Sequence, residues 1–208
     1  MRSTNLFLFI AVLLLFGCKS QTGAEQSQNT FSDGNSWIYS DQDFFANGQS
    51  GPSNIDSVYV ISSTVISGKK NLFLNNAITE LLDDAGNVII KYSFNFSFPH
   101  FSYDLPSKAG DTISRIDSTP FTIDGNAVSG SILMIARNND TVITVPGGSF
   151  HCCCFEIETS IQNSAVVSRT YRYICPSAGL IKFEAYAFDL ATGIRWLENQ
   201  TELIRIVK

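Results

Sequence analysis

The sequence predicts an all-β domain, an antiparallel half-open barrel or β-sandwich of about ten strands, and three observations carry this prediction. Apolar and polar residues alternate with a period of two along most of the chain after residue 35. Sixteen Phe and seven Tyr residues suit strands with aromatic faces. Clusters of turn-forming residues, such as Asp124-Gly125-Asn126, separate the alternating segments at the spacing of barrels and sandwiches.

Composition sets the class of protein and excludes several others. The chain has 208 residues, of which 44% are hydrophobic and 16% charged, which is the balance of one globular domain. The low charged fraction excludes a disordered or coiled-coil chain. Fourteen Lys and Arg against nineteen Asp and Glu give a net charge of −5, so nothing in the charge favours binding to nucleic acid.

The first element is an export signal at residues 1–17. Met1-Arg2 gives a positive start, and residues 6–16 form an apolar run of eleven, which is too short to span a bilayer. The run ends at Leu15-Phe16-Gly17-Cys18, which resembles the lipobox of bacterial lipoproteins, although Phe16 departs from the usual small or β-branched residue. The resemblance implies that Cys18 is lipidated and anchors the mature protein to a membrane.

The second element, residues 18–34, is predicted to be the lipidated Cys18 followed by a flexible tether. Residues 19–30 are polar and carry no large apolar side chain, so they cannot offset the entropy of ordering. Lys19 stands where many inner-membrane lipoproteins carry Asp, and this resemblance favours the outer membrane.

The β-domain is predicted over residues 35–208 as a single unit. Residues 58–63 alternate before a turn at 68–70, and residues 78–82 and 88–98 flank Asp83-Asp84-Ala85-Gly86-Asn87 as a hairpin. Asn138-Asn139-Asp140 is predicted to be a further turn. Short helices are arguable only around 77–82 and 191–198. The remaining predicted strands are 127–137, 141–146, 149–161, 165–175, 180–188 and 202–207.

A second resemblance covers the last third of the chain. The segment Val145-Pro146-Gly147-Gly148-Ser149-Phe150-His151-Cys152 resembles the V-P-A-G-T-F-x-C segment of uncharacterised bacterial lipoproteins. Residues 36–39 and 201–204 resemble the opening and closing strands of those proteins. Some of them are similar to the half-open β-barrels of lipoprotein carriers, which implies a cavity but no established activity.

Four cysteines remain after Cys18, and they suggest one disulfide. If Asn163-Ser164 centres the turn between two strands, Cys152 lies opposite Cys175. If the turn is centred one residue later, Cys154 lies opposite Cys175 instead. An exported compartment is oxidising enough to keep such a bond, so we expect a disulfide between Cys152 and Cys175. The Cys of the resembling family falls at Cys152, which supports this pair.

Metal binding and catalysis find little support in the sequence. His151 and the cysteines offer soft ligands, but neighbouring strand residues diverge to opposite faces and no Cys-x-x-Cys occurs. No nucleophile elbow, phosphate loop, zinc-protease motif or dinucleotide fingerprint is present. We therefore predict no catalytic residue, no metal and no cofactor.

One aromatic stripe could carry a function. Tyr92, Phe94, Phe96 and Phe98 lie on one face of a predicted strand, either as core or as the wall of an apolar cavity. Two functions compete: an envelope protein that binds an apolar ligand or assists lipid or lipoprotein handling, and a module that holds an envelope protein. A void behind the stripe favours the first, whereas a filled core and exposed apolar side chains favour the second.

Overall fold

The computed structural model describes residues 33–208 apart from short segments at 67–68, 76–77, 85–86, 94–100, 104–107, 124–125, 162–165 and 190. In the described residues, every regular element is a β-strand. The strands are β1 (Ser36–Phe44), β2 (Ser50–Ile66), β3 (Lys69–Leu74), β4 (Ile78–Asp84), β5 (Asn87–Ser93), β6 (Phe101–Tyr103), β7 (Thr112–Ile123), β8 (Asn126–Val145), β9 (Gly148–Ile161), β10 (Val166–Cys175), β11 (Gly179–Phe188) and β12 (Arg195–Val207).

The twelve strands form one sheet that consists of two meanders, β1 to β6 and β7 to β12, which pair through β1 and β12. The order is β6-β5-β4-β3-β2-β1-β12-β11-β10-β9-β8-β7, so the first and last strands are neighbours. The pairing of β1 with β12 is antiparallel, as are the pairings of sequential strands. The predicted all-β class and the hairpin now formed by β4 and β5 are confirmed, and the strand count is twelve where about ten were expected.

The two faces of the sheet differ in chemistry. Alternation along each strand, combined with the register, assigns Trp37 and Tyr39 of β1, Leu203 of β12 and Phe155 of β9 to one face, and all four are buried. We call this the inner face. Further buried apolar side chains of the same core cluster are Val60, Leu72, Ile132, Met134, Ala136, Ile157, Ile174 and Ile181.

The sheet curls around the inner face. The tip of the β8–β9 hairpin contacts β12, because Gly147 N donates to Leu203 O at 2.9 Å, although β10 and β11 lie between that hairpin and β12 in the sheet. Glycine is favoured there, since a Cβ on Gly147 would lie 3.0 Å from Leu203 O, which is tighter than ordinary van der Waals contact. Trp37 Nε1 likewise donates to Ala178 O in the β10–β11 turn at 2.8 Å, so two turns close this end of the core.

The predicted turn at Asn138-Asn139-Asp140 is wrong. Strand β8 runs through it without ending, and its pairing with β9 shifts register between Ala136 and Asn138 and again between Asn138 and Thr141. Asn138 Oδ1 accepts a hydrogen bond from Asp140 N at 3.0 Å, so the turn chemistry is satisfied inside a bulged strand. The arguable helices are wrong as well, because residues 78–84 form β4 and β12 begins at Arg195.

Candidate functional site

The outer face of the last strands carries an ordered array of charged and aromatic side chains. In the register, Glu156 of β9 lies opposite Tyr171 of β10, and Tyr171 lies opposite Glu184 of β11. Opposing residues share a face, so the array extends across the five strands β8 to β12. We call it the charged face, and its members are Arg137, Glu156, Glu158, Arg169, Tyr171, Tyr173, Lys182, Glu184, Tyr186, Phe188, Arg195 and Glu202.

Glu156 is the centre of one half of the charged face. It is only 4% exposed, and Arg137 donates two hydrogen bonds to it, from Nε to Oε2 at 2.8 Å and from Nη2 to Oε1 at 3.0 Å. Arg169 Nε lies 3.1 Å from Glu156 Oε1, and Arg169 Nη2 also donates to Glu158. Burial alone would raise the pKa of Glu156, but the hydrogen bond from Arg137 and the two guanidinium charges hold it below its usual range.

Lys182 is the centre of the other half. Its Nζ lies 2.9 Å from Glu184 Oε1 on its own strand and 3.1 Å from Glu202 Oε1 directly opposite on β12. The pKa of Lys182 is raised, because these two carboxylates outweigh the burial that would lower it. Tyr173 OH donates to Glu184 Oε2 at 3.4 Å, and burial together with the Glu184 charge raises the pKa of Tyr173.

Aromatic rings and guanidinium groups fill the spaces between the ion pairs. The rings of Tyr171 and Tyr186 pack edge to face with centroids 5.8 Å apart. The guanidinium of Arg195 lies 4.9 Å from the centroid of Tyr186, and that of Arg169 lies 5.7 Å from the centroid of Phe188. Contacts among its own side chains therefore hold the charged face together.

The four cysteines of the β-domain are buried in the first part of β9 and at the last residue of β10, near the closed end of the core. Cys153 Sγ donates to Asn139 O at 3.3 Å, and Cys175 Sγ lies 3.3 Å from Ser177 Oγ. None of the four forms a disulfide in the structure. Burial raises the pKa of Cys154 to about 11, with the Glu156 carboxylate adding to it, and burial raises the pKa of Cys152 further. Such thiols are poor nucleophiles at neutral pH.

His151 does not join the cysteines. Its Nδ1 lies 2.7 Å from Asp140 Oδ1 at an exposed position on the surface, whereas Cys152 is only 1% exposed. Among the described residues, no three His, Cys, Asp or Glu side chains come together as metal ligands. Across the same part of the chain, no helix has the length and apolar character needed to cross a bilayer.

Two of the predicted sites fall where the structure gives no geometry. Cys18 and its tether precede the described residues, and Phe94, Phe96 and Phe98 of the aromatic stripe also lie outside them. The backbone of Tyr92 belongs to β5, opposite Thr79 of β4 and Phe101 of β6. The apolar wall thus stays a prediction.

Exposed apolar side chains are concentrated on β2. Ile55 is 67% exposed and Tyr59 is 45% exposed. Their partners on β1 are Ser40 and Ser36, which alternate with the buried Tyr39 and so belong to the outer face. The inner face, by contrast, is filled where it is described, with Phe155 and Leu203 fully buried.

The fold is shared with solved bacterial proteins. A protein described as a candidate exported protein with a YmcC-like fold, from Bacteroides fragilis NCTC 9343, aligns with TM-score 0.53 and 15% identity, covering 85% of this chain and 97% of its own. A protein described as a candidate lipoprotein, from Parabacteroides distasonis ATCC 8503, aligns with TM-score 0.55 and 15% identity, covering 85% of this chain and 96% of its own. At this identity the likeness establishes the fold alone.

Comparison by sequence adds no family. No family model matches the chain. No curated protein matches it either. The V-P-A-G-T-F-x-C resemblance therefore rests on its motif residues, and the likeness to lipoprotein carriers stays a prediction.

Sequence reasoning missed the charged face as a site. The signal was present as alternation within single strands, since Glu156 and Glu158 on one strand and Arg169 and Tyr171 on the next recur at every second position. Their opposition depends on the register of β9 with β10, which brings Arg169 opposite Glu158. A candidate site of this kind appears only when consecutive hairpins are aligned.

Proposed function

We propose that this chain is a lipid-anchored protein of the bacterial cell envelope, held in the outer membrane through Cys18, whose β-domain binds an envelope protein through the charged face. The apolar run before Cys18 and the polar tether after it support the anchor. Both solved proteins of the same fold are described as exported or as a lipoprotein, which agrees with that placement.

The observation that carries the binding proposal is the composition of the charged face. Tyr, Phe and Arg are the side chains enriched at the energetic centres of protein interfaces, and Tyr171, Tyr186, Phe188, Arg169 and Arg195 meet there. Because these side chains already hold one another, binding would cost little side-chain entropy.

The balance of charge on the same face favours a protein over an anionic ligand. Four basic residues stand against four acidic ones, so the face carries no net positive field that would attract a nucleic acid or an anionic bilayer. Paired charges of both signs instead suit a partner with a complementary pattern of charges. The basic members are Arg137, Arg169, Lys182 and Arg195, and the acidic members are Glu156, Glu158, Glu184 and Glu202.

The binding of an apolar ligand, with a role in lipid or lipoprotein handling, is the second candidate. The sheet curls around an apolar face, which is the architecture of a ligand-holding half-barrel, and Tyr92, the first residue of the aromatic stripe, belongs to β5 of that sheet. The filled core between β1 and β9 and the exposed Ile55 and Tyr59 favour the interaction module over it.

The anchor is tested by metabolic labelling with a radioactive fatty acid. We expect label on the wild-type chain in the membrane fraction, and none on a Cys18→Ala variant, which should keep its signal peptide. Label that persists in Cys18→Ala would contradict lipidation at this residue.

The binding surface is tested by photocrosslinking in intact cells. A photoreactive phenylalanine analogue placed at Tyr186 should give a discrete adduct with an envelope protein, and Arg195→Ala should weaken that adduct. The matched control places the same analogue at Val142, which is exposed on β8 away from the charged face and should give no such adduct. Equal adducts at both positions, or none at Tyr186, would refute the proposed surface. Release of an apolar molecule from the purified chain by organic solvent would favour the second candidate.

A further inference from the structure

We propose that Cys152 and Cys175 form a disulfide in the exported protein, and that this bond ties the first part of β9 to the end of β10 beneath the hairpin tips. The inference rests on the export that the proposed function requires, because only an oxidising compartment would make and keep such a bond. It also assigns Cys153 and Cys154 as thiols that take no part in this disulfide.

The register decides which cysteine faces Cys175. Tyr173 of β10 lies opposite Cys154, and Ile174 lies opposite Cys153. Continuing the same pairing by one residue places Cys175 opposite Cys152, which is the pairing predicted from a turn centred on Asn163-Ser164. Directly opposed residues on antiparallel strands have Cα atoms about 4.5–5.5 Å apart, within the range that a disulfide spans.

The other two thiols are placed where they cannot reach Cys175 without a change of register. Cys153 points to the opposite face of β9 from Cys152, and its Sγ is already bonded to Asn139 O. Cys154 is on the same face as Cys152, but Tyr173 occupies the position opposite it. Both members of the proposed pair are buried, at 1% exposure for Cys152 and 6% for Cys175, and the pKa of Cys152 is raised by burial first and by the neighbouring Cys175 next.

Because both thiols are buried in the folded domain, the disulfide has to form before folding is complete. A buried, protonated thiol reacts slowly, so the bond has to form while the chain is still unfolded or partly folded. The oxidant is a thiol–disulfide oxidoreductase of the export compartment. One cysteine thiolate attacks its disulfide to give a mixed disulfide, and the second thiolate then displaces the oxidoreductase. The substrate loses two protons and two electrons, and the oxidoreductase disulfide becomes two thiols.

Trypsin offers a direct test on the full chain. Cleavage after Arg137, Arg169, Arg172 and Lys182 places Cys152, Cys153 and Cys154 in the peptide 138–169 and Cys175 in the peptide 173–182. The chain is purified from the envelope of expressing cells, unfolded with an alkylating agent present, and digested without reductant. We expect the two peptides to be joined, and separate after reduction.

Three single variants identify the pair within the triple-cysteine segment. The joined peptide should be lost in Cys152→Ser and retained in the matched controls Cys153→Ser and Cys154→Ser. Loss in Cys154→Ser with retention in Cys152→Ser would overturn the assignment in favour of the other register. Four alkylated thiols and no joined peptide in the exported wild-type chain would overturn the disulfide itself.

A refolding experiment distinguishes a failure of the proposed disulfide from a failure of the proposed export. The same chain is unfolded, reduced, and refolded with oxidised glutathione as the oxidant. If the chain keeps its signal peptide in cells but forms the Cys152–Cys175 peptide on refolding, the export proposal fails and the pairing stands. If neither exported nor refolded chains form that peptide, the pairing fails whatever the location.

Discussion

Replacing Glu156 by Gln should destabilise the domain because the charged face is built around this carboxylate. Arg137 gives it two hydrogen bonds, at 2.8 and 3.0 Å, and Arg169 Nε lies 3.1 Å away. A hydrogen bond to a charged group contributes about 1.5–3 kcal/mol when it is buried. The side chain of Arg137 is 47% exposed, so solvent screening reduces that contribution, and we expect a loss of about 2 kcal/mol at pH 7.

The pH dependence of that loss is a sharper test than its size. The pKa of Glu156 in the folded chain lies below its ordinary 4.5, so its stabilising effect is fully present above 4.5 and disappears as the pH falls through the folded value. The Gln variant lacks this contribution at every pH. The free energies of unfolding of the two proteins should therefore differ by a constant amount between pH 6 and 8 and converge in acid.

Urea unfolding measures the loss of stability at pH 7 and its dependence on pH. Tryptophan fluorescence, to which the buried Trp37 contributes, is one probe, and circular dichroism is the other. The matched control is Glu158→Gln, a carboxylate on the same strand and face that is 25% exposed and pairs with Arg169. It should lose less than about 1 kcal/mol. A difference that stays constant down to pH 3, or a Glu158→Gln variant as unstable as Glu156→Gln, would refute the central role of Glu156.

Two further predictions concern the closed end of the core. Gly147→Ala should lower the free energy of unfolding by about 1–3 kcal/mol, because the new Cβ would lie 3.0 Å from Leu203 O, a backbone atom that cannot move aside as a side chain can. An unchanged urea midpoint would show that the hairpin tip is not docked there. Trp37→Phe should cost about 1–2 kcal/mol, because it leaves the buried Ala178 O without its donor. Tyr39→Phe removes a partly buried bond to Leu180 O and should cost less in the same urea assay; the reverse order would contradict the assignment.

Much of the secondary structure could be predicted from the sequence because it depends on local alternation. The period of two marks a strand whichever strand pairs with it, so β4, β5 and β9 to β11 fall close to their predicted positions. A turn centred on Asn163-Ser164 also predicts the pairing that β9 and β10 have from Ser168 to Ile174, whereas Val166 lies opposite Ser160 after a register shift.

The pairing of β1 with β12 could not be predicted in the same way. Ser36 and Val207 are neighbours in the sheet and lie at opposite ends of the domain sequence. No turn connects β1 with β12, and no local feature of either sequence identifies the other as its partner strand. Closure depends on the buried Trp37 and Leu203 meeting the same core, which is a property of the whole fold.

The candidate site lies beside the feature that local reasoning assigned wrongly. Composition marks Asn138-Asn139-Asp140 as a turn, which would end β8 directly after Arg137. The chain instead continues as a bulged strand, in which Ala136 lies opposite Phe155, Asn138 lies opposite Cys154, and Arg137 has no partner in the register.

Regular alternation along β8 already assigns Arg137 to the outer face, because it lies two residues after Ile135, which is opposite Glu156. There Arg137 donates to Glu156 through two guanidinium nitrogens, Nε and Nη2. Glu156 is buried as deeply as the apolar core, although its strand alternates as if this position were exposed to solvent. Each strand alone therefore shows only an alternating charge, and the register of β8 with β9 is what brings the two charges together at the candidate site.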